Sequence, residues 1–230
     1  MKPSLSIVVP VLNQSVHTQN LCGFLQRYSA NLPGLELIIV DNASTDDTRE
    51  VVERAKQWAD YAILYMRTSH NLGYGTAANR GMQIAMADHI VVTNNDIVPA
   101  GEDMFCFVPG ILGDRKVLGC ARYLLGNGYA GYSYAEGWCL AFHQRFLDEV
   151  GGFREDFFLY FEDVELSYRA LHNGYSIEPL PLSVRHIGTQ SRGEIADPWA
   201  ETHKSQAIFE AIHAGQDYAP RPMAGRLWKA

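Results

Sequence analysis

The stretch LSIVVPVLN, residues 5–13, runs apolar almost without a break until it meets Asn13. A strand with one wet face alternates polar and apolar side chains, whereas a strand covered on both faces need not. Cover on both faces calls for helices on either side of a parallel sheet, and the following residues supply them. From His17 to Tyr28, the residues Leu21, Phe24, Leu25 and Tyr28 recur at helical spacing. ELIIVDN (36–42) is a second strand. STDD (44–47) has the form of a capping box opening a helix that turns Val51, Val52 and Ala55 inward. YAILYMRT (61–68) is a third strand, followed by a Gly-containing loop and a helix ending near Ala87; HIVVT, from His89, leads into a fourth.

This alternation predicts an α/β chain with a parallel sheet and right-handed crossovers. Ligands of such sheets bind beyond the carboxyl ends of the strands. The four strands end in polar or turn residues: Asn13, Asp41-Asn42, Arg67-Thr68 and Asn94-Asn95-Asp96. Topology alone therefore gathers them on one sheet edge. Beyond Gly101 the regularity weakens. LGCARYLL and YSYAEGWCLAF read as strands in antiparallel or mixed pairing, and HQRFLDEVGGF as a short helix. FEDVELSYRALHNGY is a longer helix stopped by Asn173-Gly174, SIEPLPLSVRHIG is extended, and the tail from Asp197 forms at least one helix. One domain over 1–230 is expected, with a nucleotide-binding half (1–100), an acceptor-facing half (101–196) and a helical tail (197–230).

A formal net charge of −7 argues against a nucleic-acid binder, which needs a basic face to neutralise phosphates. A nucleotide ligand stays open, because a divalent cation supplies positive charge locally. Cys22, Cys106, Cys120 and Cys139 show neither Cys-x-x-Cys spacing nor histidines at zinc-site distance, which predicts reduced thiols and a cytoplasmic protein. The N-terminal MKPSLSIVVPVLN is too short and interrupted for a membrane span or signal peptide, and no apolar run reaches the ~18 residues a span requires.

Asp41 ends a strand just before a helix, where turn and N-cap chemistry worth about 1 kcal/mol explains a carboxylate as readily as a base or ribose contact. NLGYGTAANRG (71–81) is Gly-rich and opens a helix, so its amides could cradle phosphate, yet it is neither a P-loop nor a G-x-G-x-x-G motif. FFLYFEDVELSYR (157–169) sets Glu162 and Asp163 at a helix start. The helix dipole favours acids there by about 0.3–1 kcal/mol, but the preceding aromatic row is unusual. An apolar wall raises a carboxyl pKa, as a general base requires. His186 follows an apolar stretch, where a lone histidine is more often structural than a ligand; yet imidazole with a carboxylate and pyrophosphate oxygens makes a sensible ligand set for Mg2+ or Mn2+.

Taken in order, SIVVPVLN, LIIVDNASTDDT, NLGYGTAANRG, VVTNND and GGFREDFFLYFEDVELSYR, with the later HIGTQS, resemble an inverting glycosyltransferase of family 2, of the rhamnosyltransferase-like kind. The resemblance spans Leu5 to about Ser191. It implies a GT-A fold: a mostly parallel Rossmann-like central sheet flanked by helices, with a smaller mixed acceptor-side sheet. It implies that Pro10, Leu12 and Asn13 border the nucleotide, that Asp41 holds the base, and that Asn71, Gly73 and Asn79 line the nucleotide-sugar pocket. Asn94-Asn95-Asp96 takes the place of the Asp-x-Asp motif, with Asp96 on the metal and Asn95 towards the sugar or ribose. Asp163 corresponds to the catalytic base with Glu162 beside it; His186 completes the metal site and Arg192 reaches the departing phosphates.

The implied reaction is one in-line displacement. A sugar passes with inversion from a dTDP-, UDP- or GDP-linked donor to a hydroxyl of a glycan or lipid-linked saccharide, in polysaccharide synthesis. Mg2+ or Mn2+ is bound with the donor, and a lipid-linked acceptor would bring the protein to the inner face of the membrane. Asn94 departs from the pattern by replacing an acid, so the cation is expected to bind mainly when nucleotide sugar is present. GYAGYSYAEGW (128–138) offers an acceptor wall or, equally, strand core with a turn. Two other functions stay open. A nucleotidyltransferase wants a basic Gly-rich loop after the first strand, which VPVLNQSVH lacks; a catalytically silent nucleotide-sugar-binding module has no need of Asp96, Glu162, Asp163 and His186 together.

Overall fold

The computed structural model describes residues 2–32, 34–101, 105–124, 131–188 and 197–214. The first half runs β1 (Leu5–Val11), α1 (Ser15–Tyr28), β2 (Leu35–Asp41), α2 (Thr48–Ala55), β3 (Ala62–Arg67), α3 (Tyr74–Ile84) and β4 (His89–Thr93). Next come β5 (Ile97–Pro99), α4 (Val108–Leu112), β6 (Val117–Cys120), β7 (Tyr123–Leu124), β8 (Tyr134–Ala135) and β9 (Cys139–His143). The remainder is α5 (Arg145–Glu149), α6 (Glu162–His172), β10 (Ser176–Pro179), β11 (Val184–His186) and α7 (Pro198–Ile212).

Every residue of β1 is buried, as its unbroken apolar run requires. Ile7, Val9 and Val11 pack on one side with Leu21 and Leu25 of α1 and Val52 and Ala55 of α2. Val8 points to the other side, among Ala77, Ala78 and Met82 of α3 and Leu166 and Ala170 of α6. These two apolar layers sandwich one seven-stranded sheet in the order β10-β6-β9-β4-β1-β2-β3. Strands β4, β1, β2 and β3 are parallel, so their carboxyl ends share an edge.

The second half of the chain extends this sheet. β9 runs antiparallel to β4, with Thr93 opposite Cys139, and β6 and β10 follow it outward. Reversing one strand carries the start of β9 to the end of β4, where the polar turn lies. Two small antiparallel pairs, β11 with β5 and β7 with β8, stand beyond the main sheet.

The expected capping box is corrected by the structure. Ser44 does not cap α2; its hydroxyl accepts from the Asn13 amide at 2.7 Å, tying the end of β1 to the turn after β2. Asp46 takes the capping role, accepting from the Thr48 amide and hydroxyl with one oxygen and from the Ser15 amide with the other. One carboxylate thus serves the first turns of two helices, where negative charge is favoured. Among the described residues no helix is long and apolar enough to cross a membrane, and all four cysteines are free thiols.

Candidate active site

A cavity of about 770 Å3 opens at the carboxyl edge of the parallel strands. One wall carries Pro10, Leu12, Asn42, Asn71 and Gly73. Asn42 donates to Asn71 Oδ1 at 2.7 Å and accepts from the Leu72 amide at 2.8 Å, so β2 holds the loop before α3 by side-chain amides. Gly73 has φ +84°, and a Cβ there would lie 2.4 Å from the Phe158 carbonyl oxygen. Only glycine permits that approach of the loop to the segment carrying the acidic pair.

Three residues expected at the nucleotide stand off this wall. Asp41 is fully buried and accepts from the Ser44 amide (2.7 Å), the Tyr65 hydroxyl and Arg67 Nη1 (3.0 Å). Asn13 accepts from the Thr45 amide at 2.7 Å and so knits two strand ends together. Asn79, a turn into α3, clasps the backbone of Phe153, donating to its carbonyl at 2.7 Å and accepting from its amide at 2.9 Å. Arg192 lies outside the described residues.

The polar turn after β4 and strand β11 form a second wall. Asp96 is buried, with Oδ1 3.0 Å from His186 Nε2 and Oδ2 accepting from the Gly188 amide at 3.2 Å. Burial raises the Asp96 pKa, but the hydrogen bond and charge of His186 outweigh it and hold the carboxyl below its ordinary value. Asn94 Nδ2 stands 3.2 Å from the same His186 nitrogen, and Asn95 donates to Thr18 Oγ at 3.1 Å. Among the described residues no group of three or more His, Cys, Asp or Glu side chains is assembled for a metal. One carboxylate and one imidazole, both hard-to-borderline donors, fit a Mg2+ or Mn2+ ion whose other ligands come from substrate phosphates and water.

The third wall carries Glu162 and Asp163. Just before them Tyr160 and Phe161 both have φ +65°, a costly conformation for non-glycine residues. Phe161 is fully buried, while Phe158, Leu159 and Tyr160 reach the cavity. Asp163 accepts from the Gly137 amide and from its neighbour Val164, each at 2.9 Å. Glu162 is 7% exposed and its Oε2 has no hydrogen-bond partner. Burial, with the Asp163 charge next to it, pushes the Glu162 pKa upward. Burial also raises Asp163, against the lowering effect of its two amide donors.

Glu136, Gly137 and Trp138 join these walls. The Trp138 carbonyl accepts from the Asn94 amide at 2.9 Å and from Thr93 Oγ1 at 3.0 Å. Its indole stacks on His186, and its Nε1 donates to Glu136 at 2.9 Å. Gly137 donates to Asp163 and accepts from the Tyr74 hydroxyl at 2.7 Å. The sequence placed this tripeptide in the stretch 128–138, read equally as acceptor wall or as strand core with a turn; residues 128–130 lie outside the described residues. Tyr74 and Arg185 also line the cavity; Tyr74 drew no notice because its partner, the Gly137 carbonyl, lies far along the chain.

A parallel sheet with a reversed ninth strand and a polar cavity at its carboxyl edge is the GT-A fold. The solved mannosyltransferase PcManGT from Pyrobaculum calidifontis, in complex with GDP-Man and Mn2+, superposes with a TM-score of 0.66 at 21% identity, over 79% of this chain and 55% of that one. The chain belongs to the glycosyl transferases of family 2, whose sequence model (Glycosyl transferase family 2) matches residues 6–163. Similar curated proteins include the probable glycosyltransferase YdaM of Bacillus subtilis strain 168, 23% identical over 211 residues, covering 79% of this chain and 50% of YdaM. The GalNAc(5)-diNAcBac-PP-undecaprenol beta-1,3-glucosyltransferase of Campylobacter jejuni is 23% identical over 138 residues, covering 60% of this chain and 38% of the relative. The chain thus spans half or less of the length of these two relatives.

Proposed function

We propose that this protein transfers a hexosyl or deoxyhexosyl group, with inversion, from a nucleoside diphosphate sugar to an acceptor hydroxyl in glycan or polysaccharide synthesis. The observation that carries it is the Glu136-Gly137-Trp138 turn, which holds an acidic pair and a carboxylate–imidazole pair around one cavity. The first is what deprotonation of an acceptor requires and the second suits a diphosphate-bound cation.

Asp163 is the base. Two like carboxylates side by side in a buried site do not both ionise readily, so they divide their protons unequally. Two backbone amides stabilise the Asp163 carboxylate, whereas Glu162, whose buried Oε2 has no hydrogen-bond partner, keeps the proton. Asp163 then takes the hydroxyl proton as the acceptor oxygen attacks the anomeric carbon, and the nucleoside diphosphate leaves from the opposite face. Asp96 and His186 would hold Mg2+ or Mn2+, which as a Lewis acid stabilises the leaving diphosphate. Pro10, Leu12, Asn42, Asn71 and Gly73 border the nucleotide, and Arg185 supplies a cation near the phosphates. The aromatic wall of Trp138, Phe158 and Tyr160 suits the acceptor, a sugar or lipid-linked saccharide.

The test is a panel of dTDP-, UDP- and GDP-sugars, with and without Mn2+, offered with simple and lipid-linked saccharide acceptors. Release of nucleoside diphosphate coupled to a product of inverted anomeric configuration, read by proton NMR, supports the proposal. Donor binding without turnover across the panel would favour a silent binding module instead.

A further inference from the structure

Helix α7 lies beyond the family match, which ends at Asp163. It is well started: Asp197 caps it by accepting from the Trp199 and Ala200 amides at 3.1 and 3.0 Å. Of its fifteen residues only Ser205 and Phe209 are buried, one turn apart and therefore on one face. Both reach the segment that presents the acidic pair. Ser205 Oγ donates to the Leu159 carbonyl at 2.7 Å, and the Phe209 ring lies 5.8 Å from the Phe161 ring. Phe209 also meets the edges of Tyr132 and Tyr168 at 5.0 and 6.0 Å, within a cluster that contains Phe157 and Val164.

What α7 holds down is a strained piece of backbone. Tyr160 and Phe161 are consecutive left-handed residues, a costly conformation that persists only where the surroundings enforce it. On one side the Phe158 carbonyl accepts from the Tyr74 amide at 3.3 Å. On the other, the Leu159 carbonyl is held by a serine that is 1% exposed. Directly after this pinned turn come Glu162 and Asp163.

We propose that Ser205 is a positioning residue of the transfer reaction, its hydroxyl fixing the Leu159 carbonyl so that Tyr160 and Phe161 present Glu162 and Asp163 to the cavity. The proposal rests on the glycosyltransferase reading above. In Ser205→Ala the carbonyl loses its partner and the turn relaxes towards ordinary backbone angles, displacing the carboxyl groups while the nucleotide wall stays in place.

The experiment measures kcat, KM and amide hydrogen exchange in Ser205→Ala, with Phe209→Leu as a second variant that loosens the same contact. Misplacing a catalytic group by about 1 Å costs up to about a hundredfold. The expected result is a kcat lowered about tenfold or more, a donor KM within about twofold of wild type, and faster exchange at the Gly137 and Val164 amides that bind Asp163. A lowered melting temperature with unchanged kcat and exchange would mean a merely structural contact and would overturn the proposal. If wild-type protein turns over no donor, the reading of function fails separately. The exchange comparison then decides the role of Ser205, with unchanged rates in both variants counting against it.

Discussion

The indole of Trp138 lies flat on the imidazole of His186, ring centroids 4.9 Å apart and 11° from parallel. That stack fixes the plane of His186, whose Nε2 is 3.0 Å from Asp96, while the Trp138 carbonyl holds the Asn94 amide. One residue therefore orients both arms of the candidate cation site. Supporting contacts of this kind typically change metal affinity by about 10- to 100-fold. Trp138→Leu is expected to weaken Mn2+-dependent nucleoside diphosphate binding about tenfold, leaving Mn2+-free binding nearly unchanged, as isothermal titration would register. Equal losses with and without Mn2+ would show that the stack serves something else.

Gly137 leaves a side chain little room beside Asp163. A Cβ built on it lies 3.1 Å from Asp163 Cβ and 3.4 Å from Asp163 Oδ2. Gly137→Ala should push the base aside and lower kcat by about one to two orders of magnitude, with donor KM little changed. Steady-state kinetics on the folded variant checks this; an unaltered kcat would separate Gly137 from the chemistry.

The acidic pair also leaves a mark on stability. Both carboxyl groups have folded pKa values raised above the ordinary 4.5 for Glu162 and 3.8 for Asp163. The folded state then binds more protons than the unfolded chain, so their contribution to stability is present in acid. It is lost as pH rises from those ordinary values through the raised ones. Glu162→Gln removes the group that most resists ionisation, and its advantage over wild type should grow with pH. Urea midpoints from about pH 4 to about pH 8 would display the divergence; parallel curves would refute it.

Asp41 makes a different prediction. Its carboxylate is buried and receives Ser44, Tyr65 and Arg67. Asp41→Asn turns one acceptor into a donor facing these groups and should cost about 1–3 kcal/mol without any ligand. Denaturant titration of the unliganded variant tests it, and wild-type stability would mean that this network contributes nothing to the fold.

The parallel half of the fold was legible because its signals are local. An unbroken apolar run in β1, helical periodicity in α1 and polar residues at each strand end are properties of neighbouring residues. The Asn94-Asn95-Asp96 and Glu162-Asp163 segments were legible for the same reason, each lying at the end of one element. The Glu136-Gly137-Trp138 turn was not. Its meaning lies in β9 reversing beside β4 and in an amide that reaches Asp163, 26 residues away. Asn79 shows the limit from the other side: it belongs to a Gly-rich segment suited to phosphate, yet Phe153 takes both ends of its amide. Ser44 had the spacing of a cap, but Asn13 captured its hydroxyl.

The most direct measurement is single-turnover transfer by Asp163→Asn with whichever donor wild-type protein accepts, alongside donor binding. General-base catalysis contributes about 10²–10⁴-fold, so the rate should fall by that factor while donor affinity stays close to wild type. Near-normal transfer by the variant would contradict the assignment of Asp163 as the base, and with it the account of this site.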